Sequence, residues 1–470
     1  MIHRALATTV ALLAVSAAPA AAAFTPGSAG GGDPFYPQAG NGGYDVDQYS
    51  LKLAYEPQNE QLDGDVTITA RATQDLSSFN LDLRGFRVDS VTVNGSAASF
   101  TRKGQELTIT PSAGLRRNRD FSVRVVYAGH ANYVIDPDHS KDGWIPTDDG
   151  AFVVNEPQGA PTWFPANDTP RDFATFDFAI TVPEGRTALA NGRLVSTTDN
   201  GDTTTWRWRE SSPMVPYLTT ATNGAFELRI GTVNGLPEYN AVDPQTRRFG
   251  QKDPEPELAW TRLNATQGPA LQLFTELYGP YPYDSVGAIV DWAPNVFYSL
   301  ESQTKPNYWH VASVATIVHE IAHQWFGDAV VLERWPDMWL NEGFATWSEW
   351  IWFERTGGRT AQQEFDALYA TPEDSSAGQD LWFPAPNALS GPEELFHTPV
   401  YDRGAMTLQA LRQKLGEAVF LQIVRTWYAE NRFSNVTTQD FIALAERVSG
   451  VQLDQFFDAW LFQEGRPESW

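Results

Sequence analysis

The spacing of apolar residues changes partway along the chain, and this change limits the folds open to it. Up to about residue 230, apolar and polar residues alternate in short segments such as 50–55 and 66–71, separated by turn dipeptides such as Asn94-Gly95. In the last third of the chain, apolar residues recur at helical spacing. We therefore expect an all-β domain over residues 44–232 and a mostly α-helical domain over residues 233–470, with a small sheet near residues 285–291.

The helical segments share apolar faces, and several end at a glycine placed where a helix C-cap belongs, such as Gly416 and Gly450. We predict helices over residues 311–326, 342–355, 404–415, 418–428, 440–448 and 453–462.

Composition excludes several classes of function. The chain has 470 residues, no cysteine and a net charge of -25. Such an acidic surface repels nucleic acid and anionic lipid, so we expect neither as a partner. The lack of cysteine removes thiolate nucleophiles, iron–sulfur clusters and disulfides, so the fold must be held by core burial alone.

The N-terminus has the pattern of an export signal. Arg4 is followed by an uncharged apolar run and by small residues up to Ala23, so we predict a signal peptide over residues 1–23 and a secreted, extracellular protein. Residues 24–43 are rich in Gly, Pro and Ala and are predicted to be a flexible linker. No later segment is long and apolar enough to span a membrane.

One short motif predicts a metal site. His319 and His323 lie four residues apart, on one face of a strongly apolar predicted helix, where both imidazoles can reach one zinc ion. Glu320 can reach a water on that zinc without ligating it. A helical hairpin would bring Glu342, nineteen residues after His323, back to the metal as a third ligand. Two histidines and one glutamate leave an open position, which is typical of catalytic zinc.

This arrangement resembles the aminopeptidase N family of gluzincin zinc metallopeptidases. His-Glu-x-x-His is followed after eighteen residues by a glutamate within Trp339-Leu-Asn-Glu-Gly-Phe-Ala345, and the first motif continues as Gln324-Trp-Phe-Gly-Asp328. The resemblance implies a β-rich saddle domain followed by a thermolysin-like catalytic domain. It also implies an enzyme that removes N-terminal residues from peptides, in a minimal two-domain version.

The resemblance also assigns roles outside the metal motif. Glu301, in Tyr-Ser-Leu-Glu-Ser, sits where the family has Gly-x-Met-Glu-Asn, and it would bind the α-ammonium group of the substrate. Glu156, before Pro157, resembles the residue of the first domain that completes this amine site. Tyr401 resembles the family's tyrosine that stabilises the oxyanion, with Arg403 in place of a lysine.

Other polar residues receive structural interpretations. Glu349 and Glu354 are expected to face solvent, the acidic segment around Asp136 and Asp138 is interpreted as a turn instead of a calcium site, and His310 is expected to be structural.

Three alternative functions stay open at this point. A thermolysin-type endopeptidase needs no amine site, epoxide hydrolysis is known from one branch of the family, and a non-catalytic binding protein would not use zinc for chemistry. The favoured expectation is a monomeric zinc aminopeptidase that acts on peptides with a free N-terminus.

Overall fold

The structure is a computed structural model that describes residues 23–468. The predicted signal peptide therefore lies almost wholly outside the described residues. Within them, no helix is both long enough and apolar enough to cross a bilayer.

The first domain consists of β-strands joined by short loops. In chain order they are β1 (Thr25–Pro26), β2 (Tyr44–Glu56), β3 (Gln61–Ala72), β4 (Leu76–Asp82), β5 (Arg87–Val93), β6 (Ser96–Ala97), β7 (Ser99–Lys103), β8 (Glu106–Thr110), β9 (Asp120–His130), β10 (Tyr133–Ile135), β11 (Lys141–Pro146), β12 (Ala151–Val154), β13 (Ala174–Pro183), β14 (Thr187–Ala188), β15 (Arg193–Asp199), β16 (Thr203–Met214) and β17 (Asn223–Gly224).

These strands form three sheets. The largest has eight strands in the order β15-β16-β13-β2-β3-β9-β5-β6, and the others have the orders β10-β11-β12-β17-β14 and β1-β4-β8-β7. The alternation in the sequence explains the large sheet, because Val66, Ile68 and Ala70 of β3 point into the core while the residues between them are only partly buried. The predicted all-β saddle domain is confirmed.

The five-stranded sheet makes the contact that matters for the functional site. Its Ile145, Phe152 and Val154 pack against Val296 and Leu300 of the second domain in a small apolar cluster. This contact holds the loop after β12 against the second domain.

The prediction of a flexible linker over residues 24–43 is wrong. β1 pairs with β4, and Tyr36 is buried with its ring in edge contact with Trp335, 6.0 Å between centroids. Asp33 accepts a hydrogen bond from the backbone N–H of Trp335 at 3.0 Å. The segment is poor in large apolar residues, but the few that it has pack against both domains.

The second domain carries a small sheet and most of the helices. Its strands are β18 (Glu227–Val233), β19 (Leu236–Val242), β20 (Val286–Val290), β21 (Asn307–Tyr308), β22 (Val330–Leu332) and β23 (Ser434–Val436). The first four form one sheet, which confirms the strand expected near residues 285–291. Because β18 belongs to this sheet, the predicted domain boundary at residues 232/233 falls inside a strand, and the domain begins a few residues earlier.

The helices follow the predicted order, with additions. They are α1 (Pro256–Tyr278), α2 (Val314–His323), α3 (Trp339–Arg355), α4 (Ala361–Tyr369), α5 (Ser376–Trp382), α6 (Gly404–Leu415), α7 (Glu417–Asn431), α8 (Thr438–Ser449) and α9 (Asp454–Phe457). Wider π-type turns at Pro399–Arg403 and Asp458–Phe462 flank the last part of this series. The mostly helical second domain is thus confirmed, while α1, α4 and α5 had not been predicted.

Two glycines let α3 and α6 approach closely. A Cβ atom on Gly343 would lie 2.9 Å from backbone atoms of Gly404, and a Cβ atom on Gly404 would lie equally close to Gly343. Real Cβ atoms do not approach backbone so closely, so the absence of side chains at both positions sets the distance between these helices.

Candidate metal and active site

Helix α2 carries the paired histidines on its buried side. Its N-terminus is capped by Ser313, whose side chain accepts a hydrogen bond from the N–H of Thr316 at 3.0 Å. His319 and His323 are one turn apart, and their ring centroids lie 4.7 Å from each other. The predicted spacing therefore brings both imidazoles together.

Each imidazole is oriented by a partner at Nδ1. Nδ1 of His319 lies 2.7 Å from Oε1 of Glu349, and Nδ1 of His323 lies 3.0 Å from the carbonyl oxygen of Phe326. These contacts leave both Nε2 atoms free for a metal, in the manner typical of zinc-binding histidines.

Glu342 lies in the first turn of α3 and completes the metal site. Its Oε2 is 2.9 Å from Nε2 of His319 and 3.4 Å from Nε2 of His323. One ligand atom from each of the three residues lies within 4.8 Å of the others. Two imidazole nitrogens and one carboxylate oxygen at such distances fit a zinc ion.

The charge of the site also fits a cation. Burial lowers the pKa of His323, but the carboxylates of Glu301 and Glu342 act in the opposite direction and raise it to about 9. The site therefore stabilises positive charge at the place where the metal would bind.

Glu320 faces the same space as His319, His323 and Glu342. Within residues 23–468 it forms no hydrogen bond with any of these three side chains. It is buried, and burial raises its pKa to about 8 against the opposing effect of the two histidines. A carboxyl group that readily holds a proton is suited to general base and acid catalysis.

Glu156 and Glu301 reach the site from different domains. Glu156 follows β12 of the first domain, whereas Glu301 lies between β20 and β21 of the second. Both are buried, and in each the Oε1 atom has no hydrogen-bond partner among residues 23–468. Burial raises the pKa of both carboxyl groups, and for Glu156 the charge of Glu301 adds to this effect.

Tyr401 is carried by the π-type turn before α6. Its ring lies over His319, with 6.1 Å between ring centroids and 28° between ring planes. Arg403 anchors the turn, since it is fully buried and donates hydrogen bonds to the carbonyl oxygens of Trp382 and Ala459 at 2.9 and 3.0 Å, and to that of Gln463. Burial raises the pKa of Tyr401, so its hydroxyl keeps its proton and can donate it in a hydrogen bond.

All seven predicted site residues line one cavity of about 330 Å³. The other residues of its wall include Asp138 and Ser140 of the first domain, Tyr298, Ser299, Ala315, Thr316, Glu349 and Phe396. His310 does not line this cavity and stacks on Trp309 with 4.1 Å between ring centroids. Asp136 and Asp138 lie between β10 and β11, in the expected turn.

The structure adds two residues that the sequence did not reveal. Glu349 does not face solvent as expected, because it contacts His319. Gln324 joins the metal helix to the loop of Glu301: its Nε2 donates to the carbonyl oxygen of Glu301, and its Oε1 accepts from the N–H of Thr304, both at 2.8 Å. The spacing of seven residues between Glu342 and Glu349, which places both on one helix face, was the only available signal for Glu349.

Comparison with known proteins agrees with this geometry. The sequence profile of the Peptidase M1 N-terminal domain matches residues 45–218, and that of the Peptidase family M1 domain matches residues 285–460.

Among solved structures, an M1 zinc metallopeptidase from Deinococcus radiodurans is 30% identical with a TM-score of 0.81, over 93% of this chain and 98% of that one. A Glu-to-Ala variant of an M1 zinc metallopeptidase from the same organism, bound to a Tyr-Ser-Ala substrate, is 29% identical with a TM-score of 0.81, over 93% of this chain and 99% of that one.

Among curated relatives, Aminopeptidase M1 of Arabidopsis thaliana is 28% identical over 345 residues, which are 67% of this chain. The matched region is 37% of that relative, so the chain spans little more than a third of its length.

Proposed function

Because the chain belongs to the M1 family of zinc metallopeptidases, we propose that it is an aminopeptidase that removes residues from the free N-terminus of peptides. The observation that carries this proposal is the pair of buried carboxyl groups, Glu156 and Glu301, in the same cavity as the metal ligands. An endopeptidase has no need for two such groups, since its substrates present no charge beside the bond that is cleaved.

The two carboxyl groups suit an α-ammonium group for an energetic reason. A buried carboxylate is costly unless a charge or hydrogen-bond donor satisfies it, and each of these has an oxygen without a partner within residues 23–468. A substrate ammonium provides a positive charge and three donors, which would satisfy both oxygens at once. Their position then fixes which peptide bond reaches the metal site.

The remaining residues of the cavity would perform the hydrolysis. When His319, His323 and Glu342 hold zinc, it supplies Lewis acidity beside the scissile carbonyl and makes a nearby water more acidic. Glu320 takes a proton from the attacking water and gives it to the leaving amine. Tyr401 donates its O–H to the oxygen that becomes negative in the tetrahedral intermediate. The Tyr-Ser-Ala substrate of the Deinococcus relative supports short peptides as substrates.

A panel of fluorogenic aminoacyl amides and their N-acetylated copies tests the proposal. The purified protein should cleave only the free-amine set, and a zinc chelator should abolish this cleavage. Cleavage of the acetylated set would instead establish an endopeptidase. No cleavage of either set would favour a binding protein without catalytic activity.

Substitution of the amine site makes the test specific. Glu301→Gln and Glu156→Gln should each raise KM for the free-amine substrates by roughly tenfold or more, because each removes a charged hydrogen-bond partner. Zinc content should stay at the wild-type level. Glu184→Gln, which changes an exposed carboxylate in the turn after β13, is the matched control and should leave KM unchanged.

We also propose that the protein is exported and acts as a monomer. The basic, apolar and small-residue pattern of residues 1–23 supports export, and a net charge of -25 disfavours association of copies. Sequencing of the protein recovered from culture medium should give an N-terminus near Phe24. Light scattering should give the mass of a single chain, and a larger mass would refute the monomer.

A further inference from the structure

An aromatic patch, formed by Phe249, Phe297 and Trp309, lies on the surface of the second domain. Phe249 and Phe297 are 62% and 64% exposed, whereas Trp309 is buried beneath them. The three rings contact one another edge to face, with centroids 5.4 to 6.2 Å apart. Two phenylalanines so exposed on a buried tryptophan form an ordered apolar surface, which is typical of a binding site.

Phe297 combines an exposed ring with an unusual backbone conformation. Its φ is +73°, in the left-handed region that bulky residues rarely adopt. The residue before it, Val296, is buried in the apolar cluster between the domains, and the residue after it, Tyr298, lines the active-site cavity. Strain of this kind is found mostly at functional sites, where the surrounding structure maintains it.

Two segments of the active-site cavity wall adjoin the aromatic patch along the chain, and Trp309 packs in the same apolar cluster as Tyr298 of that wall. Phe297 directly precedes Tyr298 and Ser299, both in the cavity wall. Trp309 stacks on His310, and the chain then enters α2, whose first turn supplies Ala315 and Thr316 to the same wall. The patch is therefore linked to the cavity wall through both of these segments.

We propose that the aromatic patch binds an apolar side chain of the peptide substrate, on the C-terminal side of the bond that is cleaved. This inference rests on the proposed aminopeptidase function, in which Glu156 and Glu301 hold the N-terminus of the peptide inside the cavity. The cavity of about 330 Å³ is at the small end for ligand sites, so the rest of a longer peptide must extend over the rim. The exposed ring faces favour an aliphatic or aromatic side chain there.

The test uses peptides of six residues that begin with the same preferred residue and carry one Phe, moved from position three to position six among Ser residues. At the best position, the wild-type protein should cleave the Phe peptide with a kcat/KM on the order of two- to tenfold above that of the all-Ser peptide. In Phe249→Ser and Phe297→Ser this ratio should fall to about one.

Two controls separate the aromatic patch from other effects. An aminoacyl amide is too short to reach the patch and should be cleaved equally by the wild type and Phe249→Ser. Ile230→Ser removes an equally exposed apolar side chain, 61% exposed, elsewhere on the domain and should keep the wild-type ratio.

The remaining results either overturn the inference or test the proposed function on which it rests. A ratio near one in the wild type, or a raised ratio that survives in both variants, overturns it. If the aminoacyl amides are not cleaved at all, the proposed function fails, and calorimetric binding of the same peptides to the Glu320→Gln protein then tests the patch alone. A dimer that Phe249→Ser converts to a monomer would show that a second copy occupies the patch, which also overturns the inference.

Discussion

Nδ1 of His319 lies 2.7 Å from Oε1 of Glu349, and this contact turns the other nitrogen of the ring toward Glu342. An imidazole bound to zinc must keep a proton on the nitrogen that does not bind the metal. A carboxylate at Nδ1 stabilises that proton and fixes the ring, so Glu349 contributes to metal affinity without contacting the metal.

Replacement of Glu349 should therefore affect the metal first. We expect Glu349→Gln to weaken zinc binding by roughly 10- to 100-fold, because the neutral amide holds the imidazole N–H less strongly. Competition with a coloured zinc chelator measures the change. Glu430→Gln, an exposed position on α7, is the control, and equal zinc affinity in the two variants would contradict the assigned role.

Replacement of Glu320 should affect the chemical step alone. We expect Glu320→Gln to bind zinc and to unfold at the wild-type temperature, but to lower kcat by on the order of 10²–10⁴-fold, because the amide cannot accept the proton of the attacking water. Metal analysis, thermal unfolding and steady-state kinetics check the three parts. Turnover close to that of the wild type would contradict the role of Glu320 as the general base.

The residues that line the cavity could be predicted from the sequence, but the residues that orient them could not. The histidines and Glu342 occupy fixed helical positions, and Glu156, Glu301 and Tyr401 belong to motifs, so all of them could be named. The contacts of Gln324 and Glu349 depend on how α2, α3 and the loop of Glu301 are oriented in space, and a local pattern does not contain that orientation.

At the scale of helices and strands, the contact between Gly343 and Gly404 sets the position of the site. Glu342 directly precedes Gly343 on α3, and Tyr401 lies on the turn that leads into Gly404 and α6. The distance between the two helices therefore controls the distance from the third metal ligand to the tyrosine.

A methyl group at this contact should disturb both stability and catalysis. We expect Gly343→Ala to lower the free energy of unfolding by about 1–3 kcal/mol, because the new Cβ forces the two backbones apart. The same change should lower kcat, since Glu342 and Tyr401 move with their helices. Thermal unfolding and kinetics of the variant measure the two effects.

Gly268→Ala provides the matched control for this prediction. It adds the same methyl group to α1, where the nearest atom is a methyl group of Val233 at 2.9 Å and not backbone. A side chain can adjust where a backbone cannot, so this variant should be close to wild type. Equal losses in the two variants would mean that the contact between Gly343 and Gly404 has no special role.

The elements that the sequence did not predict have identifiable physical causes. Helix α1 is the longest helix of the described chain, yet it contains Gly268 and Pro269 in its interior, and both residues usually weaken or end helices. Packing of Trp260, Leu263, Leu271 and Phe274 in the core compensates for them. In residues 24–43 the Gly-rich composition hid the few side chains that anchor the segment. In both cases tertiary contacts determine the structure, and the local sequence pattern does not show these contacts.

For the molecule as a whole, several buried carboxyl groups hold their protons to a higher pH than exposed carboxyl groups do. Asp82 is fully buried and accepts hydrogen bonds from the N–H groups of Gly40 and Asp168 at 3.0 and 3.1 Å. Burial, with a smaller effect of Glu106, raises the pKa of Asp82 to about 7, and burial likewise raises the pKa of Glu210 to about 7. These groups remain protonated in the folded protein at pH values where the unfolded chain is ionised.

The protein should therefore lose stability as the pH rises toward neutrality. Between the unfolded pKa, near 4, and the folded pKa, about 7, the folded state binds more protons than the unfolded state, so the free energy of unfolding falls with increasing pH. We expect the unfolding temperature to fall from pH 5 to pH 7 in the wild type, and to fall less steeply in Asp82→Asn. The control Asp202→Asn, at an exposed turn, should follow the wild type. An unfolding temperature that rises over this range would contradict the prediction.

The two carboxyl groups proposed to hold the substrate's ammonium are supplied by separate domains, Glu156 by the first and Glu301 by the second. In evolutionary terms, exopeptidase specificity on this fold is then a property that neither domain can inherit alone. A gene fusion that paired this second domain with a foreign first domain could preserve the hydrolytic centre intact and still lose the rule that only chain ends are processed. Selection for that rule would act on the junction between the domains, and it would keep the two halves together as a single heritable unit.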